Sequence, residues 1–199
     1  MKDWDTLYKT EKSPFGTEPS LLIKNYLNLF PSDQPVLDLG SGDGRNALYV
    51  AQKGFSVTCV DISSVAIDNL LDQAKKLGVG DKIQAINQDI AEFKFDKKYG
   101  LIVCYTTLHF LLDTNARRVI EEIKNNTTEG GFNIIADFAG DGPLKKAGNN
   151  FWLKNEELKS LYNSWKILLY QEELSKTKAI DDTGNPFMQN MARIVAQKL

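Results

Sequence analysis

One nine-residue run constrains this chain more than any other: Val36-Leu-Asp38-Leu-Gly40-Ser-Gly42-Asp-Gly44. A short apolar segment ends in three alternating glycines, and from Arg45 to Lys53 the apolar spacing turns helical. A strand that runs through glycines into a helix is the context of a nucleotide loop. The glycines let backbone approach a ligand closely, and free amides at the helix start favour polar or anionic groups. The dinucleotide fingerprint G-x-G-x-x-G needs its third glycine at position 45, where this chain has Arg45. Asp38 stands two residues before the first glycine. Its carboxylate would repel a pyrophosphate and would suit a ligand carrying an ammonium group.

The flanking pattern predicts an α/β fold. Phe55–Val60, Lys82–Asn87, Tyr99–Tyr105 and Gly131–Ala136 read as further strands. Helices are expected over Thr17–Phe30 with Thr17 as cap, from Ser63 or Ser64 to Leu77, and over Asn115–Asn126. Short β–α units in series call for a parallel sheet covered on both faces. Asp137–Asn150 reads as a surface loop, Asn155–Tyr162 as a short helix, and residues 1–16 as an arm without clean period. Trp165–Tyr170 and Met191–Ala196 have no crossover helix between them, so they are expected to pair antiparallel. The expectation is one Rossmann-like, doubly wound domain over 1–199, mostly parallel, closed by that antiparallel pair.

Two more acids sharpen the ligand. Asp61 ends the second strand 21 residues after Gly40 (61 − 40), near the offset at which an acid holds a ribose diol. Asp89 follows the third strand, where a carboxylate can accept from an adenine amino group. Three acids at the carboxyl ends of three successive parallel strands face one crevice.

These residues resemble the class I S-adenosylmethionine (SAM)-dependent methyltransferases. Asp-Leu-Gly-x-Gly-x-Gly-Arg45-Asn46-x-Leu48-Tyr49, Phe95-Asp96-x-x-Tyr99, Gly130-Gly131-Phe-Asn133 and Tyr170-x-Glu172 are similar to the TehB-type tellurite-resistance methyltransferases over nearly the whole chain. The resemblance implies SAM as cofactor. Asp38 would orient the loop and the methionine ammonium, with Gly40, Ser41 and Gly42 lining the cofactor. Arg45 would meet the methionine carboxylate, its alternative being a surface helix charge. Asp61 would hold the ribose, Ile62 and Ile90 would flank the adenine, and Asp89 would bind its amino group.

The acceptor side reads less sharply. Laid without gaps on the TehB pattern, Lys178 and Ala179 stand at a His-Arg pair and Asn190 at a later arginine, so most cations for an oxyanion are absent. Trp4, Tyr8 and Phe15 read either as a lid or as packing of a terminal arm, and Tyr8 is a candidate catalytic residue. His109 is the only histidine; it is a candidate base or substrate contact, or else a capping or partly buried ring. Tyr105 lines the same wall, as a candidate cofactor contact or as simple pocket surface. Residues 137–155 would form the substrate-side loop, with Trp152 a candidate substrate cap or packing anchor.

Composition narrows the classes. Of 199 residues, 42% are hydrophobic and 25% charged, as a globular α/β domain requires. A net charge of −2 provides no field to attract nucleic acid, and no apolar run is long enough to span a membrane. The start lacks the apolar stretch of a secretory signal, so a cytoplasmic location is expected. Cys59 and Cys104, on strands flanking the first, are expected to be free thiols about 9–10 Å apart. The function read here is methyl transfer to a small-molecule acceptor, a chalcogen oxyanion or a thiol among them. A SAM-binding sensor without chemistry, or an NAD-dependent oxidoreductase, stands as the alternative.

Overall fold

The computed structural model describes residues 3–146 and 151–199. In chain order the elements are α1 (Trp4–Thr10), α2 (Leu21–Tyr26), β1 (Val36–Leu39), α3 (Arg45–Gln52), β2 (Val57–Asp61), α4 (Ser64–Lys76) and β3 (Ile83–Asn87). They continue with β4 (Tyr99–Tyr105), α5 (Asp113–Asn125), β5 (Thr127–Phe138), α6 (Pro143–Lys146), α7 (Glu157–Leu161), β6 (Lys166–Ile180) and β7 (Pro186–Gln197). The strands form one seven-stranded sheet in the order β3-β2-β1-β4-β5-β7-β6. The first five run parallel, and β7 pairs antiparallel with both β5 and β6. This is the doubly wound, mostly parallel sheet with a terminal antiparallel pair that the β–α alternation predicts.

The central strands are buried on both faces without interruption, and their side chains alternate between two core layers that the helices cover. Ile102, Cys104, Ile135 and Ile194 pack with Ile120 and Ile123 of α5 on one face. Cys59, Leu101, Val103, Ile134 and Val195 pack with Ala47 and Ala51 of α3 and Leu70 and Ala74 of α4 on the other. Cys59 is opposite Asp38 of β1 and Cys104 opposite Leu39, so the two thiols flank β1 from different sides of the sheet. Both are free and buried, as expected.

The boundaries depart from expectation where capping or pairing decides them. Thr17 is not a cap. Pro19 disfavours helical backbone at Glu18, so α2 starts after Ser20, whose hydroxyl accepts from the Ile23 amide at 3.3 Å. The last turn before Pro31 tightens to a 3₁₀ turn at Leu27–Leu29. The N-terminal arm holds α1, capped by Asp3. The stretch from Asp137 is not simply a surface loop: Asp137 and Phe138 finish β5, α6 follows, and Leu153 bridges back to Ala139. Phe151, Trp152 and Leu153 are buried, while residues 147–150 of the expected loop lie outside the described residues. Finally, β6 and β7 run on through the segment read as a connection, down to Ile180 opposite Pro186. Their turn forms where the Asp181 carboxylate accepts from the amides of Thr183 and Asn185, both at 2.9 Å. No helix among the described residues is long and apolar enough to cross a membrane.

Candidate functional site

The glycine loop leaves β1 at the sheet's centre. Gly40 and Gly42 both take positive φ (72° and 56°), and each lies under a foreign side chain: a Cβ on Gly40 would strike Thr107, and one on Gly42 would strike the Tyr8 hydroxyl. Asp38, on β1, is 3% exposed. Its Oδ2, like Ser41 Oγ, is buried without a hydrogen-bond partner among the described residues. Burial pushes the Asp38 carboxyl up to about 7, against the pull of the Arg45 guanidinium and with the repulsion of Asp61. Arg45, the first residue of α3, also lies over the Tyr105 ring, 5.2 Å from its centroid.

Asp61 closes the loop from β2. Its Oδ2 accepts from the Gly42 amide at 2.7 Å and its Oδ1 from the Ser63 amide at 2.9 Å. Burial raises its pKa, and these amide bonds oppose the rise. Asp89 is partly buried and accepts from the Ala91 amide at 2.8 Å. Ile90 is buried, whereas Ile62, next to Asp61, leaves 43% of its surface open. The acids at 38, 61 and 89 thus stand at the carboxyl edges of β1, β2 and β3, the edge at which open α/β sheets bind ligands.

The arm folds over this edge. Asp5 accepts from Ser63 Oγ at 2.6 Å and from the Val65 amide at 3.3 Å, at the start of α4. Asn69 donates to the Tyr8 carbonyl at 3.2 Å. Tyr8 is buried among Asp61, Asp43 and Arg45, and burial with the two carboxylates holds its phenol protonated far above the usual range. Its hydroxyl therefore belongs to the glycine-loop group. A cavity of about 370 Å³ opens on the outer side of the loop, between Ser13, Gly16, Asp43, Arg45 and Gln73. Thr107 and Tyr8 cover the loop itself.

Beyond β4 the chain turns at Thr106, a non-glycine residue at φ 55°, a backbone state that costs about 1 kcal/mol and gathers at functional sites. The following 3₁₀ turn, Leu108–Phe110, carries His109. His109 is 4% exposed, and its Nδ1 lies 2.7 Å from Asp137 Oδ1. Asp137, at 0% exposure, also accepts the amides of Thr107 (3.1 Å), Leu108 (2.7 Å) and Phe138 (2.7 Å). The sequence reading passed over Asp137 because it opens a Gly- and Lys-rich stretch. Its signal was its place: an acid closing an apolar strand, as Asp38 and Asp61 do.

Rings continue from this pair in both directions. Trp4 meets Phe110 edge-on at 4.7 Å, His109 lies 3.9 Å from Phe110 and 4.3 Å from Phe138, and Phe138 lies 5.4 Å from Trp152. Trp152 packs on Met191 as well, with its Nε1 buried and unpartnered among the described residues. On the terminal hairpin, Ala179 is exposed, Asn190 is partly buried, and the side chain of Lys178 lies outside the described ones. Further along β7, Arg193 donates to Glu173 at 3.2 Å and to Ser175 at 2.8 Å.

A family model described as tellurite resistance protein TehB matches residues 26–195. A probable SAM-dependent methyltransferase TehB of Haemophilus influenzae is 30% identical over 164 residues, which cover 82% of this chain and 57% of that protein. Hemagglutinin 1 of Eikenella corrodens is 29% identical over 168 residues, 81% of this chain and 54% of that protein. The chain thus spans little more than half the length of these relatives. The crystal structure of TehB from Haemophilus influenzae superposes with a TM-score of 0.85 at 26% identity, covering 98% of this chain and 67% of that one.

Proposed function

From the premise that this chain belongs to the TehB family, we propose that it transfers a methyl group from SAM to a small-molecule acceptor. The observation that carries this reading is the pair of buried, unpartnered acceptors at the glycine loop, Asp38 Oδ2 and Ser41 Oγ. Leaving such groups unpaired costs about 1–3 kcal/mol each, and the ammonium end of SAM supplies the missing donors. The residues present fit the cofactor. Asp38 would take the ammonium, and Arg45 the carboxylate. Asp61 keeps lone pairs on both oxygens for a ribose diol, and Asp89 keeps one oxygen for the adenine amino group. The open face of Ile62 and the buried Ile90 would flank the ring, with Gly40 and Gly42 admitting the chain and Tyr105 forming the wall.

When bound, SAM supplies an electrophilic methyl group on a positively charged sulfur. This chain's contribution is positioning and exclusion of water. Tyr8, Trp4 and Phe15 form the lid, held down by Asp5. Rings beside a cationic sulfur are favourable, and the protonated Tyr8 hydroxyl would offer it oxygen lone pairs. Because Tyr8 of the arm covers Gly42, the arm would lift for the cofactor to enter. The candidate acceptors are chalcogen oxyanions and thiols. Two of the three family cation positions, Ala179 and Asn190, carry no charge here.

The test is direct. SAM or S-adenosylhomocysteine should raise the melting temperature and NAD should not, and an acceptor screen covering selenite, tellurite, thiols and thiopurines should release S-adenosylhomocysteine. Stabilisation by NAD alone overturns the reading, and SAM binding with no turnover on any acceptor reduces it to a sensor.

A further inference from the structure

The His109–Asp137 pair is not needed to hold the cofactor, and its geometry is more specific than packing requires. Three backbone N–H groups already point at the Asp137 carboxylate, which fixes it as an acceptor. The fourth contact, Nδ1 of His109 at 2.7 Å, must then be the donor, so the neutral ring carries its proton on Nδ1 and its lone pair on Nε2. The described residues offer Nε2 no hydrogen-bond partner. The rings of Phe110 and Phe138 both pack against the imidazole, and Trp4 of the arm meets Phe110 edge-on.

The location matters equally. The strand order reverses between β1 and β4, and ligands of open α/β sheets sit in the crevice at that switch point. Gly40 comes from the loop after β1 and His109 from the loop after β4, with Thr107 spanning the gap to touch Gly40. A water-poor site, an imidazole with a fixed tautomer and a buried carboxylate ready to stabilise its cation are the parts of a general base.

We propose that His109, oriented by Asp137, takes the proton of the methyl acceptor, and that the acceptor is therefore protic at its nucleophilic atom: a thiol, hydroxyl or amine. The inference rests on the methyltransferase reading above. In the step, the X–H proton moves to Nε2 as the X lone pair forms the X–CH₃ bond. The carbon–sulfur bond breaks, sulfur keeps that electron pair, and the proton then leaves to solvent. A selenite or tellurite lone pair has no such proton to lose. His109 is the catalytic residue and Asp137 its positioning residue.

Because the chain has a single histidine, ¹⁵N-histidine labelling yields one imidazole to observe. At pH 8 the wild type should show the Nδ1–H tautomer, and Asp137→Asn should lose that preference. His109→Gln should bind SAM within about twofold of wild type by calorimetry yet lower kcat on a thiol, amine or hydroxyl acceptor by about 10²–10⁴-fold. His109→Ala should regain part of that loss with added imidazole. An Nε2–H tautomer in the wild type overturns the proposal. So does His109→Gln turnover within threefold of wild type, or turnover confined to selenite or tellurite. Failure of the wild type to bind SAM overturns the parent reading instead, and the tautomer experiment is unaffected by it.

Discussion

Replacing Asp38 by asparagine should stabilise the free protein above neutral pH while abolishing its response to SAM. The Asp38 carboxyl is pushed from 3.8 up to about 7, chiefly by burial. Between those values the folded chain keeps a proton that the unfolded chain releases. Stability therefore falls as pH rises through this window, and the cost is complete above about 7. At about 1.36 kcal/mol per pH unit, the buried charge costs about 4 kcal/mol at pH 8. Asparagine removes the charge but places an amide where Oδ2 has no partner, which costs about 2 kcal/mol. The net gain at pH 8 is about 2 kcal/mol, or about 4–8 °C in a chain of this length. At pH 5 the wild-type carboxyl is already mostly protonated, and the gain should vanish. Thermal and urea unfolding at pH 5 and 8, with and without SAM, reads all of this. Equal effects of the substitution at both pH values would refute the argument, as would undiminished stabilisation of the variant by SAM.

Two further outcomes follow from other parts of the molecule. Asp5→Ala removes the acceptor that ties α1 to the Ser63 hydroxyl and the Val65 amide. SAM should then associate and dissociate several-fold faster in stopped-flow fluorescence of Trp4, and unchanged rates would show that the arm is no lid. Tyr162→Phe strands the buried Asn133 Oδ1, which now accepts the Tyr162 hydroxyl at 2.9 Å. The variant should lose about 1–3 kcal/mol in urea unfolding with SAM affinity unchanged. A shift in SAM affinity would show the two regions to be coupled.

The parts of this molecule legible in advance were those written in short range. Asp38, Asp61 and Asp89 each close an apolar strand, so strand order alone brings them to one edge. Asn133 and Tyr99 turn out to serve packing: Asn133 links Tyr162 to Thr127, and Tyr99 is buried beside Phe95 with its hydroxyl toward Asp96. Asp137 was hidden because it opens a Gly- and Lys-rich stretch and its loop partners lie 28–30 residues away, which left its place at the end of an apolar strand as the local sign. The arm was obscure for the same reason. Asp5 reads as a surface charge until α4 presents Ser63, 58 residues on. The length of β6 and β7 was missed because residues 171–178, nearly all polar, show no hydrophobic alternation to detect.

That ribbon has a consequence for how such a protein can change. β5 ends at Phe138 opposite Met191, whereas β6 and β7 stay paired down to Ile180 and Pro186. Past Met191 a third neighbour persists for two residues, the Ala139 amide donating to the Asn190 carbonyl at 2.9 Å and the buried Gln189 to the Ala139 carbonyl at 3.2 Å, while Leu174, Ile180 and Met188 are exposed. Substitutions at the exposed Leu174, Ala179 and Ile180 disturb no packed layer, whereas Gln189 and Asn190 are tied to Ala139 and Asp38 is buried in the sheet. The fold's hold on the ribbon thus ends two residues past Met191, and its outer turn is the margin that packing leaves open to change.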